Sequence, residues 1–452
     1  MLHTLKQTLK GAVAITAAAT FSLGSAWAQD GPYAPYAGQT VVALFPAHPH
    51  YNAVMEVLPQ FTEETGIKVE VDMQQYLAMR EKQSLELTKP SGDYDLIGYV
   101  VFSKADYVYA DQIEPLARFF MDPKLSDPSY EPEDLITGYM KNLGFAGGKK
   151  GYLDGPTGGQ FGIPFGSETS VLGYRKDIFD KHGLEPPKTY DEMIELACKI
   201  PELEPGMGGL ASRGQSGHQT SHAFLLHLNP LGGRIFDDNW NVIVNNEAGV
   251  QAGEALKKIL ECGPEGATSF GFAEAKNAFL NGQAAMYLDS TIAAGEVNDP
   301  SKSQVVDKVG WAPHPKGTRA SSQTGGFGLA IPRNADNKEA AFLLMQWLTS
   351  KKGDKLIALK GGNPSRFSTH ADPEVVAQFP HLEIFGEALK DADPDWRPII
   401  PPWGEINSVL GTTLNKAMTG EMTVKEALDQ VAEQTKGIMA EAGYDTWKQA
   451  AN

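Results

Sequence analysis

Residues 161–177 constrain the fold more than any other part of the chain. Two apolar runs, 163–165 and 171–174, flank a small, hydroxyl-rich gap that carries one carboxylate, Glu168. Pro164 suits the edge or the end of a strand. A strand that stops and restarts is compatible with a passage between two lobes, because a few element-terminal residues can absorb hinge motion. The pattern fits an ordinary loop between two strands of one sheet equally well, so the flanking sequence has to decide.

Strand and helix patterns alternate before this stretch. Residues 40–45, 67–71 and 93–98 have the composition of strands, and the patterns between them are helical, with Gly66 as a left-handed cap of the first helix. After the stretch, Thr189 and Glu192 form a capping box before another helix. The alternation predicts open α/β sheets with right-handed crossovers. In such sheets ligands bind beyond the carboxyl ends of the strands.

Length and charge narrow the possible architectures and partners. The chain has 452 residues, more than the roughly 250–300 at which a single core stops growing, so two domains are expected. The formal net charge is −17, which argues against nucleic acid and anionic membrane surfaces as partners.

The first 28 residues are typical of a secretory signal peptide. Lys6 and Lys10 precede an apolar run over residues 11–23, and Ala26-Trp27-Ala28 is a cleavage site. The mature protein is expected to begin near Gln29, to be soluble and to lie in the periplasm. No cysteine stands at the cleavage point, so no lipid anchor is indicated.

The chain has two cysteines, Cys198 and Cys262. Each falls on a predicted helix, 191–200 and 248–262. Because oxidising compartments favour disulfides, we predict that the two are bridged; two buried thiols are the alternative.

Six segments together carry a family resemblance. They are residues 65–71 (TGIKVEV), 161–164 with 173–177 (FGIP, GYRKD), 186–193 (PPKTYDEM), 279–286 (FLNGQAAM), 326–332 (GFGLAIP) and 419–428 (TGEMTVKEAL). In this order and spacing, the chain resembles the extracellular solute-binding proteins of family 1, the maltose-binding-protein-like receptors of ABC importers. The resemblance covers about residues 38–445. It departs from the family pattern at Arg175, where asparagine is usual.

The resemblance implies an α/β fold of the periplasmic-binding-protein type, with two lobes joined by three hinge crossings. The crossings are expected in the opening stretch, near residues 289–310 and near residues 360–366. The first lobe would then comprise residues 38–165 and 305–362, and the second residues 166–304 and 363–448. The implied function is that of a monomeric receptor which captures a small carbohydrate or polyol and delivers it to the membrane permease of an ABC importer.

The candidate ligand-binding residues lie at the strand ends, in the crossings and in the Gly-rich loop of the second lobe. Binding a polyhydroxylated solute calls for aromatic faces against C–H patches and planar polar groups for the hydroxyls. Glu168 matches a position that contacts sugar in the maltose-binding relatives. Those relatives often carry a ligand-contacting aromatic where this chain has Asp289 and Ser290. The lack of an aromatic there favours a small solute over a long oligosaccharide. The full set is His48, Tyr51, Gln75, Tyr76, Tyr99, Glu168, Arg213, Gln215, His218, Asp289, Ser290, Phe327, Asn363, Arg366 and Trp403.

Two other functions stay open at this point. The same kind of receptor could bind an anionic solute, a sugar acid or a sulfonate, with Arg213 or Arg366 as the fork. A secreted hydrolase is the third class, but residues 214–218 (GQSGH) do not complete a nucleophile elbow. The histidine pairs His48/His50 and His218/His222 lack further ligands nearby in sequence. We therefore predict no catalytic residue, no metal site and no cofactor.

Overall fold

A computed structural model of the chain describes residues 31–146 and 159–443. The predicted signal peptide, residues 1–28, lies outside the described residues. None of the helices within those two ranges combines the length and the apolar character needed to cross a membrane.

The strands of the described residues belong to three sheets. In chain order they are β1 (Thr40–Pro46), β2 (Lys68–Gln74), β3 (Leu96–Val100), β4 (Phe145–Ala146), β5 (Gly159–Gln160), β6 (Ile163–Glu168), β7 (Ser170–Arg175), β8 (Gly208–Ala211), β9 (Ala284–Ser290), β10 (Val309–Pro313) and β11 (Gly325–Ala330).

Helices cover the sheets on both faces. They are α1 (Pro49–Thr65), α2 (Tyr76–Glu86), α3 (Ser103–Tyr109), α4 (Ala117–Phe120), α5 (Thr137–Tyr139), α6 (Lys176–His182), α7 (Tyr190–Leu203), α8 (His218–Leu228), α9 (Glu247–Glu261), α10 (Phe272–Leu280), α11 (Ala294–Val297), α12 (Lys338–Thr349), α13 (Lys351–Ala358), α14 (Phe367–His370), α15 (Pro373–Gln378), α16 (His381–Lys390), α17 (Trp403–Met418) and α18 (Val424–Glu441). Short 3₁₀ turns at Ala34–Tyr36, Pro132–Asp134, Ala267–Ser269 and Thr291–Ala293 and a π turn at Met140–Gly144 complete the set.

The first lobe is built on a five-stranded sheet in the order β2-β1-β3-β11-β6. The first three strands are parallel and β11 is antiparallel to both of its neighbours. The continuous apolar run in β1 is explained by burial on two faces, since Val41 and Phe45 pack into the core beneath α1 and α12, whereas Leu44 packs into the core on the opposite face. Gly66, with φ 74°, ends α1 as expected.

The second lobe is built on a four-stranded sheet in the order β10-β7-β9-β8, with α8, α9, α17 and α18 forming a separate helical core at its side. Its boundary differs from the expectation. The expected start of the second segment of the first lobe, residue 305, does not match the strand pairing. Val309–Pro313 pairs with Ser170–Arg175 in the second sheet. The chain therefore returns to the first sheet between Pro313 and Gly325. The sequence of β10 reads as a strand in either lobe, because its composition does not reveal its partner.

Cys198 on α7 and Cys262 at the end of α9 form a disulfide, and the two cysteines are 64 positions apart in the sequence. Both cysteines belong to the second lobe. The bond fastens α7 to the end of α9, and Gly209 of β8 donates a backbone hydrogen bond to the carbonyl of Cys262.

We expect the double variant Cys198→Ser/Cys262→Ser to lose about 4 kcal/mol of unfolding free energy, the chain-entropy value for a loop of this length. Denaturant titration of the wild type and the variant, each with and without reductant, measures the difference. The variant should be insensitive to reductant. If the wild type and the variant were equally stable in the absence of reductant, the expectation would be wrong.

Five histidines are buried in the two lobes: His50, His222, His227, His314 and His370. His227 and His314 both contact the hydroxyl of Tyr190, at 3.1 and 3.0 Å, and His314 Nδ1 lies 2.7 Å from Ser170 Oγ beside the first crossing. Burial lowers the pKa of His222 and His227 to about 4, and of His50 and His314 to about 3. These rings are therefore neutral in the folded protein at pH values where the unfolded chain protonates them.

Acidification should consequently destabilise the fold. When burial depresses the pKa of a histidine in the folded state, the unfolded state binds more protons than the folded state below about pH 6.5. The free energy of unfolding therefore decreases as the pH is lowered. Asp106 and Asp354, whose pKa values burial raises to about 6, act in the opposite sense but are fewer. Between pH 7 and pH 5 we expect a loss of at least about 2 kcal/mol, the contribution of one such histidine. Urea titrations at both pH values test this, and unchanged or increased stability at pH 5 would refute it.

Candidate functional site

A cavity of about 340 Å³ lies between the two lobes. The first lobe contributes His48, Tyr76, Val100, Val101, Phe102, Gly325, Gly326 and Phe327 to its lining. The second lobe contributes Arg213, His218, Gln219, His222, Phe272, Ser290, Ile292, Trp396 and Arg397, and Glu168 and Gln323 come from the crossings.

The strands deliver these residues by a simple rule. His48, Tyr76 and Phe102 each stand two positions after the end of β1, β2 and β3, and Arg213 and Ile292 stand two positions after β8 and β9. Because the carboxyl ends of parallel strands meet at one edge of a sheet, residues just past those ends converge. The cavity therefore occupies the place that the strand topology predicts.

Glu168 connects the two lobes. Its Oε1 lies 3.1 Å from His48 Nε2, and its Oε2 accepts a hydrogen bond of 2.6 Å from Ser290 Oγ. Burial raises the pKa of Glu168, but the contacts with His48 and Ser290 and the charge of Arg213 outweigh it, so the pKa lies below its usual value. At neutral pH this position presents a carboxylate.

Arg213 and Asp289 form a buried ion pair at the second-lobe wall. Arg213 donates from Nε to Oδ2 at 2.6 Å and from Nη2 to Oδ1 at 2.5 Å, and its Nη1 donates to Gln219 Oε1 at 3.2 Å. Burial raises the pKa of Asp289, but Arg213 and His222 hold it well below its usual range. Asp289 itself does not line the cavity; it fixes the guanidinium of Arg213, which does.

A second arginine lies next to this pair. Arg397 Nη2 donates to His222 Nδ1 at 3.2 Å, and His222 Nε2 faces Asp289 Oδ1 at 3.5 Å. Burial lowers the pKa of Arg397 to about 10, so its guanidinium stays charged at neutral pH. His222 therefore links the two arginines through one neutral ring.

Aromatic rings form much of the remaining wall. The ring of His48 packs against Phe327 with centroids 4.9 Å apart, and Phe272 lies 4.7 Å from the Arg213 guanidinium. Trp396 is buried and donates its indole N–H to the carbonyl of Thr324 at 2.8 Å. The site thus combines rigid flat surfaces with a few fixed polar groups, which is the usual make-up of a small-molecule pocket.

Seven of the predicted ligand residues line this cavity: His48, Tyr76, Glu168, Arg213, His218, Ser290 and Phe327. The others do not. Gln75 and Gln215 are exposed neighbours of the lining, and Asn363 lines a different cavity of about 300 Å³ near the third crossing.

Four predicted residues are buried in the cores instead. Tyr51 packs between Phe45 and Phe165, and the Tyr99 hydroxyl donates to the carbonyl of Leu143. Trp403 belongs to the helical core of the second lobe. Arg366 has no exposed surface and donates to the carbonyls of Thr349, Glu131 and Tyr130 and to Asp134. With Arg366 in the core and Arg213 neutralised by Asp289, neither is a free fork for an anion.

Sequence reasoning missed seven aromatic or polar residues of the lining. They are Phe102, Gln219, His222, Phe272, Gln323, Trp396 and Arg397. Phe102 obeys the same strand-end rule as His48 and Tyr76 and could have been found. Trp396 and Arg397 lie in the irregular segment between α16 and α17, where no periodic signal points to a site.

The described residues, 31–146 and 159–443, include no cluster of three or more His, Cys, Asp or Glu that could hold a metal ion.

Known proteins similar to this chain agree on the architecture. A relative of 27% identity, covering 94% of this chain and 95% of its own, is a probable amino-acid ABC transporter periplasmic-binding protein of Sinorhizobium fredii. Another, 28% identical over 81% of this chain and 85% of its own, is a mannitol-binding protein of Pseudomonas aeruginosa. Among solved structures, an ABC transporter solute-binding protein of Agrobacterium radiobacter in complex with ribitol superposes with a TM-score of 0.77 at 25% identity, covering 89% of this chain and 99% of that one.

The model of the bacterial extracellular solute-binding protein family matches residues 47–355. That range is more than half of the chain and includes Glu168 and every strand of the two lobe sheets except β1. The chain belongs to the bacterial extracellular solute-binding protein family.

Proposed function

We propose that the protein is the substrate-binding receptor of an ABC importer and that it captures a small carbohydrate or polyol between its lobes. The observation that carries the proposal is the Glu168 carboxylate, held at the first crossing between His48 of one lobe and Ser290 of the other and open to a cavity of about 340 Å³. The mannitol-binding relative and the ribitol-bound neighbour support this ligand class.

The lining suits a polyhydroxylated molecule. Each hydroxyl can both donate and accept, so one ligand can donate to Glu168 and accept from arginine N–H groups. Phe102, Phe327 and Trp396 offer faces for its C–H patches. A ligand that contacts both lobes favours the closed arrangement through its differential affinity for that arrangement.

The wider assignment follows from the same proposal. The protein acts as a monomer in the periplasm, reached through a cleaved signal peptide, and passes its solute to the permease subunits in the membrane. It binds its solute without chemical conversion, so the protein is a receptor and not a hydrolase.

The first test is a thermal-shift screen of alditols, monosaccharides and disaccharides against the purified mature protein. Because a ligand that binds only the folded state stabilises it by about 2.7 kcal/mol at a hundredfold excess over Kd, at least one polyhydroxylated solute should raise the Tm by several degrees. The same mixtures are analysed for products. Hydrolysis of a solute, or the absence of any shift both across the panel and with sugar acids of the same carbon skeletons, would contradict the receptor assignment.

Glu168→Gln should weaken the best solute of that panel by about 1.5–3 kcal/mol, the range for a hydrogen bond to a charged group. The amide retains the size of the side chain but removes the charge and one acceptor. Calorimetric titration measures the affinity, and an unliganded melt measures stability.

Glu433→Gln is the matched control, since Glu433 is highly exposed on α18 and loses the same charge far from the cavity. The control should bind as the wild type does. If Glu168→Gln bound normally but melted earlier, Glu168 would be a structural tie between the lobes and not part of the site.

A further inference from the structure

Arg397 is a buried cation with almost none of its hydrogen-bonding capacity used. Its exposed fraction is 5%, and it lines the cavity between the lobes. Within the part of the chain that the structure describes, Nη2 donates to His222 Nδ1, and Nε has no partner. A guanidinium has five N–H donors. Most of those of Arg397 are therefore unused.

The other buried arginines of the described residues are treated differently. Arg213 is neutralised by two hydrogen bonds to Asp289 and Arg175 by two to Asp177. Arg366 donates to three carbonyls and to Asp134. Burying a charge without a partner is costly, whereas a buried pair with good geometry offsets much of that cost. The contrast marks Arg397 as a group whose partner comes from outside the chain.

Among the residues that the structure describes, the network around Arg397 supplies no free countercharge. The nearest carboxylate of the network, Asp289, is committed to Arg213, and the intervening His222 is neutral because burial lowers its pKa to about 4. Glu168 is held by His48 and Ser290, and the arginine that lowers its pKa is Arg213. The Arg397 end of the cavity is therefore electropositive.

The plane of Arg397 is fixed by aromatic rings from both lobes. Its guanidinium carbon lies 4.4 Å from the Trp396 ring centroid and 5.5 Å from that of Phe102, which belongs to the first lobe. Stacking holds a planar group in one orientation without using its N–H donors. The guanidinium is thus held in one orientation at the interface between the lobes, where it lines the cavity.

We propose that Arg397 binds a carboxylate of the solute and that the solute is a polyhydroxylated acid, an aldonate type of molecule, whose hydroxyls reach the Glu168 end of the cavity. The proposal rests on the proposed receptor function and narrows its ligand class. A carboxylate matches the guanidinium in both charge and bidentate geometry, whereas a neutral diol satisfies the geometry alone. The structure also replaces the two arginines that the sequence suggested for this role by a third.

Matched pairs of probes test the wild-type protein without any variant. Each aldonate is titrated calorimetrically beside the alditol of the same carbon skeleton: erythronate with erythritol, ribonate with ribitol, and gluconate with glucitol. In the best-binding pair the aldonate should bind about tenfold more tightly or better, because its carboxylate adds an opposite charge to hydrogen bonds that a hydroxyl also receives from the guanidinium.

The variant Arg397→Gln should weaken that aldonate by about 30-fold or more, the loss expected when a buried charge pair loses one partner. Binding of the matched alditol should change by less than about threefold, because the glutamine amide can still donate a hydrogen bond to a hydroxyl but cannot neutralise a carboxylate. Arg397→Lys, which keeps the charge but not the fork, should lie between the two proteins for the aldonate. Arg333→Gln is the control for affinity, because it removes the same charge outside the cavity lining, from pairs with Asp111 and Glu114.

The outcomes separate the two proposals. If an alditol binds as tightly as its aldonate, or if Arg397→Gln weakens both members of a pair equally or neither, the carboxylate assignment is wrong and the polyol receptor stands. If no member of either series, and no sugar of the screening panel, binds the folded wild type, the receptor function fails and this inference fails with it. Should Arg397→Gln not fold, the wild-type comparison alone decides.

Discussion

The segments that carry the chain between the lobes are hydrogen-bonded to one another. Thr169 Oγ1 donates to the carbonyl of Gln323 at 3.1 Å, Gln323 donates its backbone N–H to Ser170 Oγ at 3.1 Å, and Ser167 Oγ lies 2.8 Å from Ser365 Oγ. Backbone and hydroxyl groups buried in such passages need partners, and here the passages serve as partners for each other. The position of Glu168 at the base of the cleft, and hence the site itself, depends on this arrangement.

Much of the fold follows from patterns that the sequence states locally. The apolar run of β1, the Gly66 cap and the capping box of Thr189 describe interactions between near neighbours, so their structure could be predicted without knowing the rest. The partner of β10 could not, because pairing between strands 309–313 and 170–175 is decided by the whole second sheet. The displaced lobe boundary is the result of that difference.

The site was predictable where a residue follows a strand and unpredictable elsewhere. His48 and Tyr76 stand just past strand ends, whereas Tyr99 lies inside β3 with its side chain in the core. Two tyrosines near the same edge of the sheet therefore differ, since Tyr76 lines the cavity and Tyr99 does not. Arg366 shows that a buried arginine near a crossing can be satisfied within the chain, here by three carbonyls and the Asp134 carboxylate. Trp396 and Arg397 reach the cavity only through tertiary packing, which no periodicity encodes.

The order of the strands has a consequence for how the chain reaches its native state. β11 separates β3 from β6 in the first sheet, and α17 packs on α8 across nearly two hundred residues of sequence. Neither lobe can close its core until late parts of the chain have been made. During synthesis at roughly 5–20 residues per second the early strands and the apolar faces of α8 and α9 would remain uncovered for tens of seconds. Folding that depends on contacts between such distant parts of the sequence is slow, and its intermediates are prone to aggregate.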